Sequence, residues 1–391
     1  MRIVLINNFF LPRISGSAHL TSLLASNYAS QGHEVLVVTS AQKADPGLEE
    51  FDGYQILRLK CRELPQTRLS MRYDVNFAAS FRNYRVLSEV LRNFSPDILH
   101  QHGQFFDLTW MTSYWAKRAK VPVVLTVHTP LIHPSRLLGG VFWLADQLIV
   151  RPLLLLGKSK IVVVDKFMRN YVSRRYKLNH SEIQVIPLAI DVEKFHHRSN
   201  RVVRDKYGLG DSPIILSIGH VIPLRNRIPL VESLPEVVIR HPDIKVLILG
   251  EILDESFLEL AADLGVEDVL ELIGSVPHDE IGDYFASATL ESHDLQGYGL
   301  GTSTLEVMAS EVPVVAVVEQ DNFPGIEFVD KRDIVMVPLG DPKVLAEEIC
   351  NLIENPRLNR QIGADGRRFI EKNLRSQVIV EQHLEMYRHL I

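Results

Sequence analysis

Short, fully apolar runs recur through the first half of the chain at 4–10, 34–40, 97–102, 123–128, 160–165 and 184–188. Runs of this length without polar alternation are the pattern of strands buried on both faces, and so of a parallel sheet. Between the first two lies HLTSLLASNYASQGH, where Leu20, Leu23, Leu24 and Tyr28 fall at helical spacing ahead of Gly32, a helix-ending residue. Strand, helix, strand predicts a βαβ unit. After Val192 the pattern lapses into a polar, turn-rich stretch and then begins again at 214–220, 245–251, 269–274, 288–292, 312–318 and 334–339. Helices are predicted between these runs at IPLVESLPEVVIRHP, SFLELAADLG, DEIGDYFASA and STLEVMAS. From Asp341 the chain reads as helix to its end, the last segment placing Val378, Ile379, Gln382, Met386 and Leu390 on one stripe that needs a partner surface. The two series predict an α/β protein of two doubly wound domains.

Length agrees, since 391 residues exceed one ordinary core. Cys61 and Cys350 stand far apart, which excludes a disulfide framework and a CxxC site and suits a reducing cytoplasm. The opening MRIVLINNFF reads as a first strand rather than a signal peptide. The apolar stretch 137–157 is broken by Asp146, Arg151 and Pro152, so no membrane crossing is expected.

Charge adds an asymmetry to this picture. The first 190 residues carry 23 Lys and Arg against 13 Asp and Glu, the remainder 19 against 35. A basic first half suits an anionic partner, and Arg58, Lys60, Arg62, Arg68, Arg72, Arg82 and Arg85, interleaved with apolar residues, suit lipid headgroups better than nucleic acid. A solvated basic face is the alternative reading.

Ligands of open parallel sheets bind beyond the carboxyl ends of the strands. Asn7, Asn8, His100, His102, His128, Asp165, His220, Glu251 and Glu291 each close or follow an apolar run. Any one could be an ordinary hydrogen-bonded strand end; their recurrence in both halves predicts a cleft lined from two sides. Gly16 and Ser17 open the first helix where a dinucleotide fold would carry GxGxxG, so they suit a phosphate or sugar, or close helix packing, rather than NAD. The sharpest local signal is QGYGLGTSTLEVMAS, 296–310. There Gly297, Gly299 and Gly301 flank Tyr298 and Leu300, and Thr302, Ser303 and Thr304 lead into a helix carrying Glu306. Glycines permit close backbone approach and the exposed N–H groups of a helix start suit a diphosphate, with Glu306 placed to be held by ribose hydroxyls. His220, Arg225 and Arg227 follow the first strand of the second series and are candidates to neutralise that anion. His100-Gln-His102 alone is a poor metal site and no DxD cluster occurs, so no metal is expected.

Taken in order, these segments resemble the retaining glycosyltransferases of family 4, which have the GT-B fold, across essentially the whole chain. VVLTVHTP resembles the segment bearing their sugar-contacting histidine, VIPLAIDVEKF their "IPNGVDxxxF", SIGHVIPLRNR their "GRLxxxKG" and GLGTSTLEVMASEVPVVA their "GFGLPLLEAMACGVPVVA". The resemblance implies two Rossmann-like domains facing a central cleft: an acceptor-binding domain of 1–192 with a returning helix from about 374 to 391, and a donor-binding domain of 193–373. It implies a metal-independent, retaining transfer from a UDP- or GDP-sugar to a lipid-linked, glycan or small-molecule acceptor, without a cofactor. Gly16 would line a phosphate or sugar loop, His128 would bond the transferring sugar, Arg225 the diphosphate and Glu306 the ribose; the strand-end residues His100, His102 and Asp165 are separate candidates for the acceptor side. The chain departs from the family at His220, where Arg is usual, at Glu311, where Gly is usual, and at Tyr298, where the first of two paired glutamates belongs. Glu291, or second Asp294, is the candidate to supply that carboxylate. The expected place is the cytoplasm, with contact to the inner membrane face. A GT-B epimerase or phosphorylase, or a catalytically weak nucleotide-sugar-binding protein, is the alternative.

Overall fold

A computed structural model describes residues 1–12, 16–64, 75–130, 136–152, 154, 159–195, 199–297 and 299–391. Arg68, Arg72 and Tyr298 lie outside them, as does much of 153–157. The chain divides into Met1–Ala189 with Ser376–Ile391, and Ile190–Arg375.

The first unit runs β1 (Arg2–Asn7), α1 (Gly16–Ser30), β2 (Glu34–Ser40), β3 (Gly47–Phe51), β4 (Tyr54–Leu59), the short pair β5 (Arg62–Leu64) and β6 (Val75–Phe77), α2 (Phe81–Phe94), β7 (Ile98–His102), α3 (Asp107–Ala119), β8 (Val123–Val127), α4 (Arg136–Ala145) with a π-helical turn over Asp146–Val150, β9 (Lys160–Val163), α5 (Lys166–Tyr176) and β10 (Ile183–Val185). The sheet order is β10-β9-β8-β7-β1-β2-β4-β3, parallel but for β3. Strand β1 is apolar throughout because it is covered on both faces: Ile3, Val4 and Leu5 have no exposed surface. Each such side chain contributes about 1.5–3 kcal/mol on burial. Strand order reverses at β1, which pairs with β2 on one side and β7 on the other, so the open crevice of this sheet lies at the ends of β1 and β7.

The second unit runs α6 (Arg201–Tyr207), β11 (Ile214–Ile218), α7 (Ile228–Arg240), β12 (Lys245–Leu249), α8 (Ser256–Leu264), β13 (Leu270–Gly274), α9 (Ile281–Ser287), β14 (Leu290–His293), α10 (Thr302–Ala309), β15 (Val314–Ala316), β16 (Val335–Met336), α11 (Pro342–Glu354) and α12 (Pro356–Asn373). Its sheet is wholly parallel, β13-β12-β11-β14-β15-β16, reversing between β11 and β14. The last helix, α13 (Ser376–Leu390), belongs to the first unit and packs on α1. Its buried face is not the expected stripe: Ile379, Val380, His383, Leu384, Met386 and Tyr387 are buried, whereas Val378, Gln382 and Leu390 are only partly covered. The face is rotated because it covers a polar floor, described below.

Candidate active site

In the second unit the loop after β11 and the turn before α10 meet at the sheet's reversal. Gly297 (φ 75°) and Gly299 (φ 89°) adopt the left-handed conformation that favours glycine. Gly301, the N-cap of α10, has an ordinary φ of −74° and is needed for space: a Cβ there would stand 2.9 Å from Arg225 Nη2. A Cβ on Gly219 would stand 1.8 Å from Arg225 Nη1. Two glycines therefore hold the Arg225 guanidinium between them, beside the start of a helix that no side chain caps. Thr302 and Ser303 sit partly exposed at that start. Leu300 is buried and anchors the turn.

Arg227, expected to be a second cation for the anion, is instead a structural clamp. It is buried, its Nη1 donating to the Arg225 carbonyl at 2.9 Å and its Nη2 to the Gly219 carbonyl at 2.8 Å. Burial, then the neighbouring Arg225, brings it down to about 9. His220 is exposed, and its Nδ1 accepts the Glu251 N–H at 3.1 Å.

Glu306 is almost wholly buried on α10. Lys194 Nζ stands 2.5 Å from His278 Nδ1, and His278 Nε2 is 3.0 Å from Glu306 Oε1. An ammonium can only donate, so His278 Nδ1 accepts and its Nε2–H donates to Glu306. Sequence reasoning missed His278, although the same rule of polar residues beyond a strand end would have found it after β13.

Glu291 does not face open space. It has no exposed surface and its Oε1 accepts from Thr304 Oγ1 at 2.9 Å, while Thr304 Oγ1 is 2.8 Å from His293 Nδ1. As a replacement for the family carboxylate it cannot touch a donor, because strand β14 carries its side chain inward. Asp294 is also committed, accepting the Gln296 N–H at 2.5 Å to form the turn after β14. Tyr298 is outside the described residues.

In the first unit the ends of β7 and β8 lie side by side, with His102 opposite Thr126. His100 and His102 alternate onto one face of the sheet. His102 Nδ1 is 2.9 Å from His128 Nε2, with the two rings stacked at 5.2 Å. His100 Nε2 meets Thr126 Oγ1 at 2.7 Å and its Nδ1 meets Tyr387 Oη at 2.5 Å; Tyr387 continues to Tyr28 Oη at 3.2 Å. His383 packs on His100 at 5.2 Å. Burial keeps every one of these imidazoles neutral, His128 at about 4, His383 at about 3 and the other two well below the ordinary value. Only His128, just past β8, is partly exposed and able to meet a ligand.

Gly16 is the exposed first residue of α1, and the Ser17 carbonyl accepts from Asn7 Nδ2 at 3.0 Å, tying the helix start to the end of β1. Asp165, expected on the acceptor side, is the N-cap of α5 and accepts the Met168 N–H at 2.7 Å. Its carboxylate is occupied by the helix.

Two family models cover this chain: Glycosyltransferase Family 4 matches residues 14–194 and Glycosyl transferases group 1 matches residues 200–369. The chain belongs to glycosyltransferase family 4. This glycosyltransferase is 24% identical to alpha-monoglucosyldiacylglycerol synthase of Streptococcus pneumoniae over 81% of its own chain and 71% of that protein. It is 22% identical to N-acetyl-alpha-D-glucosaminyl L-malate synthase of Bacillus anthracis over 96% and 94%. Among solved structures, a glycosyltransferase from Rickettsia africae aligns with a TM-score of 0.73 at 18% identity, covering 100% of this chain and 98% of that one. Anabaena HepE in complex with UDP and glucose aligns with 0.75 at 15%, covering both chains completely. The fold of the glycosyltransferase is thus GT-B, with two Rossmann-like domains.

Proposed function

We propose that this glycosyltransferase takes its sugar from a UDP- or GDP-sugar and passes it, with retention of configuration, to a lipid-linked, glycan or small-molecule acceptor. The seat of Arg225 carries the donor reading. A guanidinium held between two glycines at an uncapped helix start offers a fixed cation and oriented N–H groups to one anion, as a diphosphate requires. The Anabaena neighbour's complex with UDP and glucose supports it.

In this reading the acceptor O–H attacks the anomeric carbon on the face from which the diphosphate departs. The new C–O bond forms as the old one breaks, and the hydroxyl proton passes to the leaving diphosphate oxygen. That balance requires neither metal nor cofactor. Arg225, His220 and the N–H groups of Thr302, Ser303 and Thr304 oppose the developing charge. His128 bonds the sugar, and Glu306, held by His278, takes the ribose hydroxyls. The ends of β7 and β8 with the start of α1 serve the acceptor side.

Thermal shift with UDP-, GDP- and ADP-sugars tests this. One donor is expected to raise Tm by several degrees at saturating concentration, and NMR of the product is expected to show the donor's anomeric configuration. No stabilisation by any of them would remove the reading. Tyr298, in place of the first paired glutamate, favours a second reading, a nucleotide-sugar-binding protein of weak activity. Its mark would be stabilisation by a donor without turnover on any acceptor.

The acceptor reading includes an anionic membrane surface. No helix among the described residues is long and apolar enough to cross a membrane. Yet Leu137, Val141, Leu144 and Leu148 form an exposed helical stripe along α4 and the π-helical turn, with Trp143 and Ile149 beside it, in the basic half of the chain. Such a face suits insertion at the headgroup boundary. Co-sedimentation with phosphatidylglycerol vesicles is expected, weakened about tenfold by Leu148→Glu through the lost apolar burial. Equal sedimentation of the variant would exclude this face.

A further inference from the structure

Beneath the glycine turn, Glu291 and His293 project from alternate positions of β14 toward α10, both buried, and Thr304 stands between them. A sheet interior gives a strand no packing reason for an acid and an imidazole. Among the described residues, Glu291 Oε2 has no hydrogen-bond partner, and beyond Thr304 the His293 ring meets only the Gly299 backbone of the turn, which favours a proton on it. His293 lies directly under the turn, its Cε1 3.7 Å from where a Cβ on Gly301 would stand.

Thr304 has one hydroxyl proton and two neighbours within reach, so the chain of bonds has two directions. With Glu291 ionised, Thr304 donates to it and His293 Nδ1–H donates to Thr304. With Glu291 protonated, the carboxyl O–H donates to Thr304, Thr304 donates to His293 Nδ1, and the imidazole proton sits on Nε2. We propose that Glu291, Thr304 and His293 form a relay that, with Glu291 neutral, leaves the charge of Arg225 to the donor's anion and presents a proton on His293 Nε2 beneath the glycine turn. This rests on the diphosphate reading above and adds residues that position the site without touching substrate.

The charged groups around Glu291 and His293 support it. Arg225 and Arg227, from the loop after β11, face both and favour the ionised acid; Asp294, after β14, acts on Arg227. Burial outweighs the arginines and pushes Glu291 up to about 8. Burial and the same arginines hold His293 well below its ordinary value, so it changes tautomer rather than charge. A bound anion further opposes ionisation of Glu291.

The test is calorimetric titration with UDP-glucose and GDP-mannose from about pH 7 to about pH 9, with 15N NMR of the imidazoles. Affinity of the bound nucleotide sugar is expected to hold below about pH 8 and fall toward tenfold per pH unit above it. The His293 proton should move from Nε2 to Nδ1 over the same interval. Glu291→Gln, of the same shape, should abolish both changes, and Thr304→Val should abolish the tautomer change. A pH response in Glu291→Gln equal to that of the unaltered chain would overturn the relay while leaving the diphosphate reading intact. A His293 tautomer constant across this range would overturn it too, and NMR gives that answer without ligand. No binding of either nucleotide sugar at any pH would remove both the diphosphate reading and the relay's role in it.

Discussion

Arg225→Ala is expected to lower kcat for sugar transfer by about 10²–10³-fold, the loss typical of removing one fixed donor to a developing negative charge. The side chain is only partly buried, so Tm should change little. Its neighbours allow the same site to be tested without touching the cation. Gly219→Ala keeps Arg225 but places a methyl group 1.8 Å from its Nη1, at a φ of 108° that alanine adopts only with strain. Displacing the guanidinium should cost activity on the scale of the alanine variant. Gly301→Ala intrudes less, at 2.9 Å from Nη2, and should fall between. Steady-state kinetics on the three variants give the ordering. Full activity in Arg225→Ala would mean that the anion is met elsewhere.

That site was legible in the chain because its backbone needs are chemical. The glycines at 297, 299 and 301 stand out whatever the fold, and two of them do adopt left-handed φ. What they could not convey is that Gly301 makes room for Arg225, seventy-odd positions away, since only the sheet reversal between β11 and β14 brings the two loops together. Most parallel strands were equally plain, because burial on both faces leaves no polar alternation to confuse; β4, whose run is interrupted by Gln55 and Arg58, was missed. The antiparallel β3 was missed for the opposite reason: GLEEF is exposed along its whole length and carries no apolar signal. Helix α2 was missed although Tyr84, Leu87, Leu91 and Phe94 recur at helical spacing on its core face.

Interior polar groups were the hardest to read. An apolar stripe search on the last helix passes over His383 and Tyr387, so it centred the face on Val378 and Gln382. Glu291 was read as a strand-end ligand because a carboxylate is assumed to seek water; here Thr304 takes one oxygen inside the domain. In both places the partner lies far along the chain or on another element, and composition carries no trace of it.

The histidine floor of the first unit leads to the second large effect: acid should unfold this unit first. His100, His102 and His383 are buried and neutral in the folded chain, with His383 at about 3 and the others well below the ordinary value. Once unfolded, each regains an imidazole that titrates near 6.5. Below that value the unfolded chain binds protons that the folded chain refuses, so stability is whole above about pH 6.5 and is lost as pH falls. With His128, held at about 4, four such groups give a slope of up to about 5 kcal/mol per pH unit. Against a total of about 5–15 kcal/mol, the roughly 6 kcal/mol lost between pH 6.5 and pH 5 is a large part of the stability. Hydrogen exchange across that interval should show protection lost in β7, β8 and α13 while β11, β12 and β14 stay protected. His383→Met, which keeps an apolar body of similar size against His100, should lower the slope by about 1.4 kcal/mol per pH unit. A slope unchanged by that substitution would show that His383 takes up no proton on unfolding, and that the sensitivity arises from other groups.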